Sequence, residues 1–213
     1  MRALLTILLC GAPGLAAAQT APETLPRNDV TISLGWAGAE HNVHDERRWH
    51  GSLLVGASAG HYWTDHLKTE VDAGWTSPRG REIYDTIVQQ GGLTYALSDY
   101  RAHDIRFGIV QLYQFGRNDW VHPYVGLGAD IVRRQGTLER VPQSRTVYVQ
   151  GRNIPVTIPE ATERMTNVFA QAVVKAGLKM YVSEKTFFNT ELKFGVSSDV
   201  DHMVWKFGMG VDF

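Results

Sequence analysis

The stretch Met203-Val-Trp-Lys-Phe-Gly-Met-Gly-Val-Asp-Phe213 limits what this chain can fold into more than any other. Met203, Trp205, Phe207, Met209, Val211 and Phe213 are large and apolar. The residues between them, Val204, Lys206, Gly208, Gly210 and Asp212, are mostly charged or small. Only a β-strand turns a period of two into two unlike faces. A soluble strand with one wet face alternates too, but six large apolar groups set against charge and glycine are unusual there. In a bilayer every backbone N–H and C=O must be paired, so such a strand has to belong to a closed barrel. The stretch also has the ~9–11 residues that a tilted strand needs to cross the hydrocarbon. The expectation is a transmembrane β-barrel.

The same pattern recurs along the chain. Val30, Ile32, Leu34 and Trp36 alternate with Thr31, Ser33, Gly35 and Ala37, and Leu53, Val55, Ala57 and Ala59 with Ser52, Gly56, Ser58 and Gly60. Leu67, Thr69, Val71, Ala73 and Trp75 oppose Lys68, Glu70, Asp72 and Gly74. A fourth copy runs from Ile105 to Phe115, where Gln111 interrupts the apolar side without evident reason. Pro123 to Ile131, Gln171 to Met180 and Phe188 to Gly195 supply three more, and the terminal stretch is the eighth. An even count puts both ends of the chain on one side of the membrane.

The connections alternate in length. Thr64 to His66, Gly116 to Trp120 and Ser183 to Lys185 are tight and polar, as periplasmic turns are. His41 to Gly51, Thr76 to Asp104, Arg133 to Met165 and Ser197 to His202 are then the external loops. Gly91-Gly92 separates Glu82–Gln90 from Leu93–Asp99, and Gly151-Arg152-Asn153 separates Thr146–Gln150 from Ile154–Ile158, which predicts hairpins above the membrane. The predicted fold is all-β: an eight-stranded antiparallel up-and-down transmembrane barrel with long extracellular hairpin loops. A soluble lipocalin-like barrel also alternates, but it buries its large residues and shows its charges. Here the charged face also carries nearly all the glycines, which suits a narrow interior.

Residues 1–18 read as a signal peptide, with Arg2, a short apolar run from Ala3 to Cys10, and Ala16-Ala17-Ala18 as the cleavage site. Cys10 is the single cysteine and would leave with this segment, so neither disulfides nor zinc–thiolate sites are expected. Residues 19–28 read as a flexible lead-in and 29–213 as the barrel. A net charge of −1 argues against nucleic-acid binding.

Aromatic residues gather at both strand ends, Trp36, Trp75 and Trp205 at one and Trp63, Tyr113, Phe115, Trp120 and Phe213 at the other, as interface girdles do. With these girdles, the segment His122-Pro-Tyr-Val-Gly-Leu-Gly-Ala129 and the terminal Val211-Asp212-Phe213, the chain resembles the small OmpA/OmpX-type outer-membrane barrels. The resemblance implies a Gram-negative outer membrane. It also implies insertion by the barrel-assembly machinery, which reads a terminal aromatic strand, here Phe207, Val211 and Phe213. It carries no separate peptidoglycan-anchoring role, and a monomer is expected.

Lys68, Glu70, Asp72, Arg106, Asp130, Lys175, Lys179, Glu191, Lys193, Lys206 and Asp212 all fall on the inward face. An eight-stranded barrel is only wide enough for side chains to fill, so these charges are expected to form a paired plug rather than an ion path. His41, His44, Asp45 and Glu46 have the chemistry of metal ligands but an ordinary spacing, and no metal or other cofactor is expected. Ser197, Ser198, Asp199, Asp201 and His202 offer catalytic residue types at a hairpin tip, where polar residues are ordinary. No enzyme is expected. Arginine dominates the external segments, and its planar fork grips phosphate as lysine does not. Arg47, Arg48, Arg79, Arg81, Arg133 and Arg134 are therefore expected to form a rim that holds lipopolysaccharide. The function expected is structural or surface-interacting, with a lipid-modifying enzyme or a small pore as the alternatives.

Overall fold

A computed structural model describes residues 27–43, 46–89, 92–115, 120–149, 151–196 and 200–213, and the only regular secondary structure among them is β-strand. In chain order the strands are β1 (Asn28–Val43), β2 (Glu46–Tyr62), β3 (Leu67–Thr76), β4 (Arg79–Gln89), β5 (Gly92–Gln114), β6 (Val121–Arg140), β7 (Gln143–Val149), β8 (Arg152–Ile158), β9 (Ala161–Tyr181), β10 (Thr186–Val196) and β11 (Val200–Asp212). Eight of them pair antiparallel in a closed ring: β1, β2, β3, β5, β6, β9, β10, β11 and back to β1. The seam matches Val30 to Val211 and Trp36 to Trp205. At its end Asn28 N–H donates to the Phe213 carbonyl at 3.1 Å, and Phe213 N–H returns a bond to Asn28 at 2.9 Å. Asn28 therefore belongs to the barrel and not to a flexible lead-in. The expected signal peptide, residues 1–18, and residues 19–26 lie outside the described residues.

Along each wall strand burial alternates with the period read from the sequence. Ile32 is 71% exposed and Leu53 70%, whereas Lys175 is 0% exposed and Asp130 1%. Apolar outside and charged inside reverses the order that water imposes, and it suits a wall bathed in lipid. The tight turns are closed by hydroxyls: Thr64 Oγ1 accepts from the Leu67 N–H at 3.0 Å, and Ser183 Oγ accepts from the Thr186 N–H at 3.1 Å. Residues 116–119 lie outside the described residues.

The segments expected to be external loops contain far more strand than that expectation allows. β5, β6 and β9 run for 23, 20 and 21 residues, about twice what the hydrocarbon needs. Arg133–Arg140 and Ala161–Met165, read as loop, are wall. β4 pairs along the upper half of β5, from Arg79↔Ala102 to Gln89↔Gly92, so β4, β5, β6 and β9 form a sheet projecting past the barrel. Tyr100, Ala102 and Leu138 pack together on it, with Met165 against them. β7 and β8 make a separate hairpin that turns at Gly151, whose φ of 81° favours glycine. Both hairpins fall where the glycines predicted them.

Candidate functional site

The lumen gathers the chemistry. All eleven inward charges read from the sequence are buried there, and so are two carboxylates that reading missed, Asp29 and Asp104. From the short-turn end, an unbroken alternation of charge links eight of these groups. Lys179 holds Asp212 at 2.6 Å and Asp29 at 3.1 Å, and Asp29 also takes Lys68 at 2.7 Å. Lys68 reaches Glu70 at 2.8 Å, and Glu70 pairs with Lys175. Lys175 reaches Glu191 at 2.6 Å, and Glu191 takes Lys206 at 2.8 Å. Above this chain Lys193 lies 2.9 Å from Asp72 and 2.6 Å from Asp130. At the mouth on the hairpin end Asp104 is held by Arg106 at 3.3 Å and by Arg134 at 2.9 Å. Up to that level, among the described residues, seven carboxylates face seven cations, because Arg134 completes the set. Full pairing offsets the cost of burying each charge.

The strand ring shows what these contacts span. β3 and β10 stand opposite each other among the eight wall strands, so Lys193–Asp72 crosses the full diameter. β2 and β9 are also opposite, and Lys179 Nζ donates to the Tyr62 hydroxyl across them at 3.0 Å. Glycines make the room. A Cβ on Gly108 would press on Asp130, Lys193 and Asp72, and one on Gly60 would overlap Lys68. Apolar groups fill other parts of the lumen, with Val110, Leu112, Tyr124 and Val173 in one cluster and Ala37, Leu54 and Val204 in another. Among the described residues the lumen keeps a cavity of about 10 Å³ beside Lys68 and another of that size beside Arg106, each with room for about one water.

Of the six arginines of the expected rim, Arg79, Arg133 and Arg134 have described side chains. Arg134 turns inward, because Ile131 and Arg133 face out on β6 and the next residue must face in; its Nε donates to Asp104 at 2.9 Å and its guanidinium lies 5.5 Å from the Phe169 ring. Arg79 Nη1 donates to the Gly51 carbonyl at 2.6 Å. Arg133 is exposed on the outer wall. The side chains of Arg47, Arg48 and Arg81 lie outside the described residues. So do those of His41, Glu46 and Asp201, and residues 44–45 and 197–199 altogether. His202 was read as a loop residue, but it sits on β11 opposite Ala39 and Gly195 and is 1% exposed, facing the lumen.

Gln111, the break in the apolar face of β5, also gains an explanation. Its amide donates to the Lys68 carbonyl at 3.0 Å and accepts from Thr69 Oγ1 at 2.7 Å, while Trp63 Nε1 donates to Thr69 at 2.7 Å. A polar group on the lipid face thus has its partners supplied from the neighbouring strand.

Comparison with protein-family models matches residues 3–213 to the outer membrane protein β-barrel domain. The chain belongs to that family. The membrane its apolar wall requires is therefore the bacterial outer membrane. No curated protein sequence matches it. Among solved barrels, neisserial surface protein A is 15% identical, with a TM-score of 0.50 and coverage of 87% of this chain and 97% of that one. OprG from Pseudomonas aeruginosa is 14% identical, with a TM-score of 0.50 and coverage of 89% and 97%. At such identities the likeness concerns the fold.

Proposed function

We propose that this outer-membrane barrel is non-enzymatic, has its hairpin end outside the cell, and acts through structure and surface contacts with its lumen closed to solutes. The observation that carries this reading is the pair of contacts across the lumen's diameter, Lys193–Asp72 and Lys179–Tyr62. Moving an ion through the lumen would require unpairing buried charges, each of which then faces a poorly solvating interior. Its partners would be the surrounding lipid, lipopolysaccharide included, and the barrel-insertion machinery, with the barrel itself a monomer. Two measurements test the reading. Liposomes carrying the folded protein should swell in small sugars no faster than empty ones, and overproduction in cells should leave the lipid A mass spectrum unchanged. Swelling would establish a pore, and a lipid A mass shift an enzyme.

A further inference from the structure

The outer face of the projecting sheet carries a second ordered set of charges. Cross-strand register arranges it in rows: Ile105, Arg133 and Val168; then His103, Gln135 and Thr166; then Arg101, Thr137 and Arg164. The row beneath is Phe107, Ile131 and Ala170, the top of the apolar wall, and the row above is Asp99, Glu139 and Thr162. Residues paired across an antiparallel ladder share a face, and Arg101, Arg133 and Arg164 are all exposed on this one. Arg133 stands where the apolar band ends. At ~3.4 Å per residue and a ~40° tilt, the other two stand roughly 10 Å higher, and two strand spacings put them about 10 Å apart.

Arg101 meets Asp99 at 2.8 Å, but the arginine side chain is 58% exposed, so that contact exchanges readily with another anion. Neither Arg133 nor Arg164 is paired with a carboxylate among the described residues. Cations thus lie directly above a surface made for acyl chains. We infer that Arg101, Arg133 and Arg164 hold the phosphorylated headgroup of a lipopolysaccharide whose chains lie on the wall below. The inference rests on the reading that the hairpin end faces outward. A soluble phosphorylated ligand would have no use for the Phe107–Ile131–Ala170 row. The guanidinium fork can take two phosphate oxygens at once, which an ammonium cannot.

The test uses the full chain folded in phosphatidylcholine vesicles containing rough-type lipopolysaccharide, with the lipopolysaccharide that co-purifies as the readout. Replacing all three arginines by Lys should weaken retention several-fold, and replacing them by Gln should weaken it on the order of tenfold. Arg152→Gln, on the β7–β8 hairpin, should change nothing. Heat-dependent electrophoretic mobility confirms that each variant is folded. Enzymatically dephosphorylated lipopolysaccharide should bind the wild type no better than the intact form binds the glutamine variant. Equal retention by wild type and the folded glutamine variant, or by intact and dephosphorylated lipid, overturns the proposal. Vesicle swelling recorded on the same samples keeps the closed-lumen reading separately testable.

Discussion

Lys175 has no exposed surface and pairs with both Glu70 and Glu191. Replacing it by Met leaves two buried carboxylates without their shared cation, at a cost on the order of 3–5 kcal/mol. Urea unfolding in lipid vesicles should show that loss as a lower midpoint at an unchanged slope. Adding Glu70→Gln and Glu191→Gln to Lys175→Met should recover part of it, since the stranded charges are then gone. Arg101→Gln, which breaks an exposed pair, should leave the midpoint where it is. Side-chain period made the inward charges legible from strand parity alone. Asp29 escaped because it stands one residue before the first apolar position of its strand, and Asp104 because it lies above the apolar band. Arg134 is legible only as a loop residue, because the strict alternation of its strand stops at Ile131 while β6 runs on to Arg140. Val110 and Leu112 follow as luminal from the same parity as Arg106, whereas Phe187 stands one residue before the first position read for its strand.

β11 closes the ring, and its outward Phe207 is 54% exposed to what is lipid in the membrane. Phe207→Arg sets a charge on that face at about 2–4 kcal/mol near the midplane. Deleting Phe213 removes both backbone bonds to Asn28. Either variant should fail to accumulate as folded barrel in the outer membrane, as judged by heat-modifiable mobility of membrane fractions, and normal amounts of both would refute the facing assigned here. The eight membrane strands and both extra hairpins were legible because lipid demands strict alternation and glycine marks the turns. The extensions of β5, β6 and β9 were not. Above the band the outward residues become polar, as in His103, Gln135 and Thr166, while inward ones such as Gly136 and Leu138 are mixed, so the two faces no longer differ.

At the scale of the whole molecule, a ring of eight strands leaves a lumen that side chains can span, and here two contacts span it. On the proposed reading, the same pairing that neutralises the buried charges would hold the lumen shut, and stability and closure would be coupled. Removing both diametric contacts with Lys193→Ala and Lys179→Ala should open the lumen at some cost in stability. The most direct measurement is single-barrel recording in planar bilayers. Wild-type protein should show no steady conductance, and the double alanine variant should show ion-carrying openings. Stable openings through the wild type, at the same conductance as the variant, would contradict the account.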